Sequence, residues 1–272
     1  MLRSASAALL LLATGCGSAC APKASLRGLS IESDLEAGRA AGAARFDHSA
    51  WGRVLAAAAA PERGRFDYDA VPRADLDAYL LQLEQAPLAT LPGDEQRALL
   101  INAYNAFTVQ LIVSQPVRPA SIRDLPAPWK TAQWTLGGHA LSLDDIEHGL
   151  LRPVFRDPRV HFAVNCASVG CPPLRGAPFE AAALDAQLDA ATRAALAHPT
   201  WLTVEDGALH VTRLLDWYGA DFTAEGWSPR AASRAAWLAR FGPPEVAAAV
   251  QAADGDPELV FLDYDWTLND LP

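Results

Sequence analysis

Gln133-Trp134-Thr135-Leu136-Gly137-Gly138-His139-Ala140-Leu141-Ser142-Leu143 sets two short apolar runs around a pair of glycines. Paired glycines permit the positive φ that a tight two-residue turn needs, so the stretch reads as a β-hairpin. Upstream, Gly93-Asp94-Glu95 opens the strongest helical pattern of the chain, through Leu99, Leu100, Tyr104, Phe107 and Leu111 to Val113, with Pro116 and Pro119 beyond its end. Downstream, Ser142 and Asp144 can cap a helix through Ile146, Leu150 and Leu151 that Pro153 stops.

Working further outward, Arg159 to Val164 alternates as a strand, and Asn165 to Pro173 reads as a loop. A helix is expected from Pro178 to His198. Trp201–Val204 and Ala208–Val211 form a second hairpin around Glu205-Asp206-Gly207. Helices are expected over 214–222, 229–241 and 244–253, and Leu259 to Leu262 as a last strand. Before the central helix, Ser49 can cap a helix over 50–60 that Pro61 ends, and Pro72 opens one to Gln85. Helices outnumber strands, and hairpins rather than strand–helix–strand units supply the sheet. The fold class is therefore α+β: a helix-rich single domain with a small antiparallel sheet built from hairpins.

The N-terminus reads as a leader. Arg3 supplies the positive region, and Ala7 to Ala13 is an apolar run too short to span a bilayer, which needs about 20 residues. Thr14-Gly15-Cys16 resembles the end of a lipoprotein signal. Residues 1–15 are then a signal peptide, 16–45 a flexible tether rich in Ala, Gly and Ser, and 46–272 the domain. Cys16 is the expected lipidation site, and Gly17 favours the outer membrane, facing the periplasm; cleavage after Ala19-Cys20-Ala21 would give a soluble secreted product instead. The net charge of −10 repels phosphate backbones, so nucleic acid is not an expected partner, and the anchor is the one membrane signal.

The densest polar constellation lies between Asn102 and Cys171. Asn102 and Asn105 share a helix face among Leu, Ile, Phe and Val, which suggests buried amides that pin a neighbouring loop. His139, His148 and His161 can each move protons near neutrality. Adjacent Glu147 and His148 should diverge by about 100° on an α-helix and not pair directly. Alternation places His161, Ala163 and Asn165 on one strand face, with Cys166 at the exit. Cys166 and Cys171 can form a disulfide in an oxidising envelope, or Cys166 can be a nucleophile if an imidazole lowers its pKa. Zinc would need a second pair of ligands that the pattern lacks, so no metal and no cofactor is expected.

Near the C-terminus, Val260 to Leu268 ends in Asp263-x-Asp265-x-Thr267-Leu268, which resembles the opening motif of the haloacid-dehalogenase phosphatases. Trp266 replaces the glycine that admits phosphate there, and a terminal edge strand ending on a packed tryptophan is the plainer reading.

Asn102-x-Tyr104-Asn105-Ala106, Gly137-Gly138-His139, Ile146-Glu147-His148, Asp157 to Ala163 and the Cys166–Pro173 loop, in that order, resemble the family catalogued as domain of unknown function 547. Leu215-Asp216-Trp217-Tyr218-x-x-Asp221-Phe222 and Tyr264-Asp265-Trp266-x-Leu268-Asn269 resemble its later landmarks. The resemblance implies no established activity; fusions of related domains to glutaredoxin-like modules hint at thiol chemistry, and leucine-zipper contexts hint at a scaffold. The order helix, proline-containing turn, Gly-Gly-His hairpin is also similar to that of transglutaminase and papain-like hydrolases, with Asn102 where those carry cysteine. Two functions follow as expectations. One is an amide or thioester hydrolase or acyl transferase with Cys166 as nucleophile, His139 or His148 as base, and Glu147, Asn102 or Asn105 orienting. The other is a non-catalytic binding or scaffold lipoprotein with a structural Cys166–Cys171 disulfide.

Overall fold

The computed structural model describes residues 30–271. The leader, Cys16, Cys20 and the first part of the expected tether lie outside the described residues. From Ile31 the chain is already part of the fold. Helix α1 (Glu32–Ala41) buries Ile31 and Leu35, and its Gly38 lies against the backbone of Leu88 and Leu91, where a Cβ would collide. The expected tether is thus too long at its C-terminal end. An Ala-rich composition concealed one buried helical turn.

Helices α2 (Ser49–Ala58) and α3 (Arg73–Glu84) flank a short ribbon of β1 (Ala59–Ala60) and β2 (Arg65–Phe66). Helix α4 (Gly93–Val113) is buried almost all round, as a central helix must be when apolar residues occupy every face. Asp94 and Glu95 in its first turn complement the helix dipole. Strands β3 (Trp134–Leu136) and β4 (His139–Leu141) form the Gly137-Gly138 hairpin, with both glycines at positive φ. A π-helix (Asp145–Phe155) follows, opened by a reciprocal bond pair between Ser142 and Asp145. It runs past Pro153, the expected stop, and ends at Arg156 in the left-handed region, φ 48°.

The expected strand over 159–164 is instead a 3-10 helix, Pro158–Phe162. Asp157 caps it by accepting from the Arg159 N–H, and the buried Arg159 guanidinium is held by Asp157, Asp185 and Asp189. Alternation misled because both sides of this segment are buried: Val160 joins the main apolar core and Phe162 a second one. Helix α5 (Leu184–Leu196), hairpin β5 (Leu202–Glu205) and β6 (Ala208–Val211), helices α6 (Leu214–Trp217), α7 (Arg234–Phe241) and α8 (Pro244–Ala252), and β7 (Leu259–Phe261) build around that second core. Strand β7 pairs parallel to β6, so this three-stranded sheet is mixed rather than purely antiparallel. The α+β class stands. Among the described residues no helix is long and apolar enough to cross a membrane.

Two amides on α4 hold loops against the core. Asn102 donates to the Phe179 carbonyl at 2.7 Å and accepts from the Phe179 N–H at 3.0 Å. Asn105 donates to the Ala163 carbonyl at 2.9 Å and accepts from the Asn165 N–H at 2.8 Å. Each side chain supplies both partners that a buried loop backbone needs. Asn102→Ala or Asn105→Ala should therefore lower unfolding free energy by about 2–4 kcal/mol in urea titrations, since two backbone groups lose their partners. The aspartate variants should do no better, because a carboxylate cannot donate to the carbonyl. A loss under about 0.5 kcal/mol would fall to the level of ordinary surface changes and refute the pinning role.

His48 sets an acid limit. It is buried against Phe46 and Tyr79, with Nδ1 2.7 Å from the Tyr79 hydroxyl and Nε2 unpartnered among the described residues. Burial pushes its pKa down to about 4, and the charge of Asp47 offsets this only in part. The unfolded chain takes up this proton near pH 6.5. Stability from a neutral His48 is thus complete above about pH 6.5 and is lost as pH falls from there toward about 4, by up to roughly 3 kcal/mol. His48→Gln should flatten that part of the stability curve; an unchanged slope between pH 6.5 and 4 would show that other groups set it.

Candidate functional site

Glu147 and His148 come from the first turn of the π-helix, and His161 from the 3-10 helix that straddles the two cores. These three sequence-predicted residues meet. His148 Nδ1 lies 3.8 Å and His161 Nδ1 4.0 Å from Glu147 Oε1. Glu147 and His148 are neighbours on a π-helix, whose wider turn leaves a smaller angle between adjacent side chains than the roughly 100° of an α-helix. Neither distance is a hydrogen bond.

The imidazoles are held from behind. His161 donates from Nε2 to Asp221 Oδ2 at 2.8 Å; the carboxylate can only accept, so the ring proton sits on Nε2 and Nδ1 is left as a lone pair facing Glu147. Arg152 grips the same carboxylate with two bonds, 2.7 Å from Nε and 2.9 Å from Nη2. Its Nη1 donates to His148 Nδ1 at 3.3 Å. Tyr218 stacks on His161 at 4.1 Å with the rings 8° from parallel, and the Arg152 guanidinium lies 4.8 Å from the Tyr218 ring centre.

Electrostatics follow from this packing. Burial pushes His161 down, and its bond to Asp221 recovers only part of the loss, so the ring stays neutral near pH 7. Burial pushes the Asp221 carboxyl up, but the bonds from His161 and Arg152 outweigh it and leave the group below its ordinary value. Tyr104, Tyr218 and Tyr264 are all raised, first by burial and then by the charge of Glu147, so these phenols remain protonated. Asp144 is raised by burial, with Glu147 adding to the effect and His148 opposing it. The result is a carboxylate–imidazole cluster ringed by neutral hydroxyls.

Cys166 and Cys171 form a disulfide. Tyr264 donates to Cys171 Sγ at 3.0 Å and its hydroxyl lies 3.2 Å from Cys166 Sγ. Ser168 is the other side chain near the Cys166 sulfur, and no histidine hydrogen-bonds either sulfur among the described residues. The cysteines therefore adjoin the cluster through Tyr264 rather than through an imidazole. His139 is elsewhere, bonded to Ser30 at 2.8 Å and to Asp34 of α1 at 2.9 Å. Asn102 and Asn105 face loop backbones. Among the described residues no three His, Cys, Asp or Glu side chains are placed to hold a metal ion.

Arg152, Tyr218, Asp221 and Tyr264 were not singled out as site residues from spacing. Tyr218, Asp221 and Tyr264 carry a signal only through the Leu215–Phe222 and Tyr264–Asn269 landmarks, far along the chain from the residues they contact, and Arg152 falls in none of the quoted motifs.

No curated protein matches the chain, and no solved structure does. A family match is found for part of it. The matched stretch carries α4, the π-helix, His161 and both cysteines of the disulfide, and stops short of Tyr218, Asp221 and Tyr264. Residues 88–195 match the family described as protein of unknown function, DUF547, which supports that family for this stretch.

Proposed function

We propose that the chain is an exported bacterial envelope protein, lipid-anchored through Cys16, that acts by binding rather than by cysteine catalysis. The observation that carries this reading is the pairing of Cys166 with Cys171, with a tyrosine hydroxyl and a serine as the remaining neighbours of the Cys166 sulfur. A nucleophilic cysteine needs a free thiolate and a base within hydrogen-bond reach. Here the sulfur is already bonded, and the imidazoles of His148 and His161 are engaged by Arg152 and Asp221. A short-loop disulfide also suits the oxidising compartment to which the leader points.

In this reading the disulfide holds the 166–171 loop and Tyr264 in place, while His148, about a third exposed, supplies a polar group at the edge of a ligand surface. The hydrolase or acyl-transferase reading requires reduction of the disulfide and movement of His148 or His161 to the Cys166 sulfur.

Protein isolated from envelope fractions without reductant should show no alkylation at Cys166 or Cys171 when peptides are mapped by mass spectrometry. Cys166→Ser and Cys171→Ser should each destabilise by about 2 kcal/mol, the loop-closure value for so short a ring, and should be equivalent in the cell. Cys16→Ala should move the protein from membrane to soluble fractions. Ready alkylation of Cys166, with a cellular defect in Cys166→Ser that Cys171→Ser does not share, would return the nucleophile. Membrane retention of Cys16→Ala would remove the anchor.

A further inference from the structure

Trp217, at the end of α6, is 37 % exposed. It does not stand alone. Its ring lies 4.9 Å from Tyr264 and 5.9 Å from Trp266, the latter at 27° between planes. Tyr264 and Trp266 are 4.5 Å apart, and Trp129 meets Trp266 edge-on at 5.8 Å. Three separate stretches of chain thus bring four rings together. Trp217, Tyr264 and Trp266 belong to neither apolar core, so core packing does not account for them.

The geometry limits what such a surface can take. Quaternary ammonium ions are bound in cages whose rings stand around a space; here the rings touch, and the Arg123 guanidinium already lies 5.2 Å from the Trp266 ring centre. The charges around the rings are of both signs: Asp216 and Asp263 share Arg213, at 3.3 and 3.6 Å, and Arg152 and Arg234 line the adjoining groove, which favours a neutral polyhydroxylated ligand over an ion of either sign. A pyranose fits both constraints. Its C–H face is flat, apolar and slightly positive, matched to the negative face of an indole, and its hydroxyl rim can donate to carboxylates. Beside Trp217 runs a groove of ≈ 580 Å³ lined also by Arg152, Asp216, Tyr218 and Ser233, a volume suited to a small organic ligand with a few polar anchors.

We propose that Trp217, backed by Tyr264 and Trp266, is the stacking platform of a glycan-binding site that continues into the groove at Arg152, Asp216 and Tyr218. This rests on the binding reading above and names its ligand class. The disulfide then has a direct bearing on the site, because its sulfurs hold the Tyr264 hydroxyl and so the ring behind Trp217.

The test is a sedimentation assay of the unreduced protein with protein-free peptidoglycan sacculi, chitin and cellulose in parallel, which separates an envelope glycan from β-linked glucans and N-acetylglucosamine polymers. Retention on at least one glycan is expected, with affinity falling about tenfold in Trp217→Ala, the effect of losing one stacking contact. Trp217→Phe should restore much of it. Leu81→Ala, which trims an exposed apolar side chain on α3, should bind as wild type. Absence of retention on all three glycans, or equal retention of Trp217→Ala, overturns the proposal. Retention lost equally in Leu81→Ala would mean non-specific adhesion and overturns it too. Thiol mapping and Cys16 fractionation read the binding-protein assignment independently, so the two can fail separately.

Discussion

Arg152 reaches from the π-helix to Asp221 with two hydrogen bonds, and both side chains are nearly sealed from solvent, at 12 % and 5 % exposed. The π-helix packs in the main core, and the turn that carries Asp221 belongs to the second. Polar order at the seam between the cores is arranged around this pair. Asp221 fixes the tautomer of His161, Arg152 holds His148, and Tyr218 is clamped between the guanidinium and the His161 ring. A buried pair of this kind adds little net stability over an apolar replacement, yet removing one partner strands the other and costs about 3–5 kcal/mol. It ties the π-helix of the main core to the turn that follows α6 in the second.

How much of this could be read from the sequence depends on the range over which each feature is encoded. Both hairpins were legible because their turn chemistry is local: Gly137-Gly138 and Asp206-Gly207 all adopt positive φ. Helix α4 was legible because its apolar pattern is long. The 159–164 segment failed for a tertiary reason, since capping by Asp157 and the ion network of Arg159 override an alternation that has no solvent side to signal. Helix α1 failed because its buried face rests on Leu35 and Gly38, with Ile31 just before it, too few apolar residues to show a period. At the site, Glu147, His148 and His161 could be nominated by residue type, but their partner Asp221 is 60 residues beyond His161, and no spacing rule reaches that far.

The histidines illustrate how partners decide roles. His139, in the Gly-Gly-His turn, looks like a base from its position after the central helix. It is instead one end of a contact between the β3–β4 hairpin and α1, bonded on both ring nitrogens. His161 looked like one residue of a strand face, yet it is the buried centre of a charge network with a lone pair directed at Glu147. The likeness in element order to papain-like hydrolases therefore extends no further than order, because the helix amide at Asn102 is engaged with the Phe179 backbone and the hairpin imidazole with Ser30 and Asp34.

Burial then separates the cluster into two kinds of group. His161 and Asp221 are sealed from solvent, and the Asp221 oxygens are taken up by His161 and Arg152, so both residues act by holding others. His148 is about a third exposed and Trp217 similarly open. Tyr218 lies between them, its ring covering His161 and its neighbour Trp217 facing outward. Rigidity passes from the Arg152–Asp221 pair through Tyr218 on one side, and from the disulfide through Tyr264 on the other, to the same exposed indole. A surface tryptophan supported from two directions loses little rotamer freedom on binding, which lowers the entropic cost of stacking a ligand on it. The sealed ionic network and the surface aromatic patch thus adjoin through Tyr218 and Trp217, neighbours in the chain.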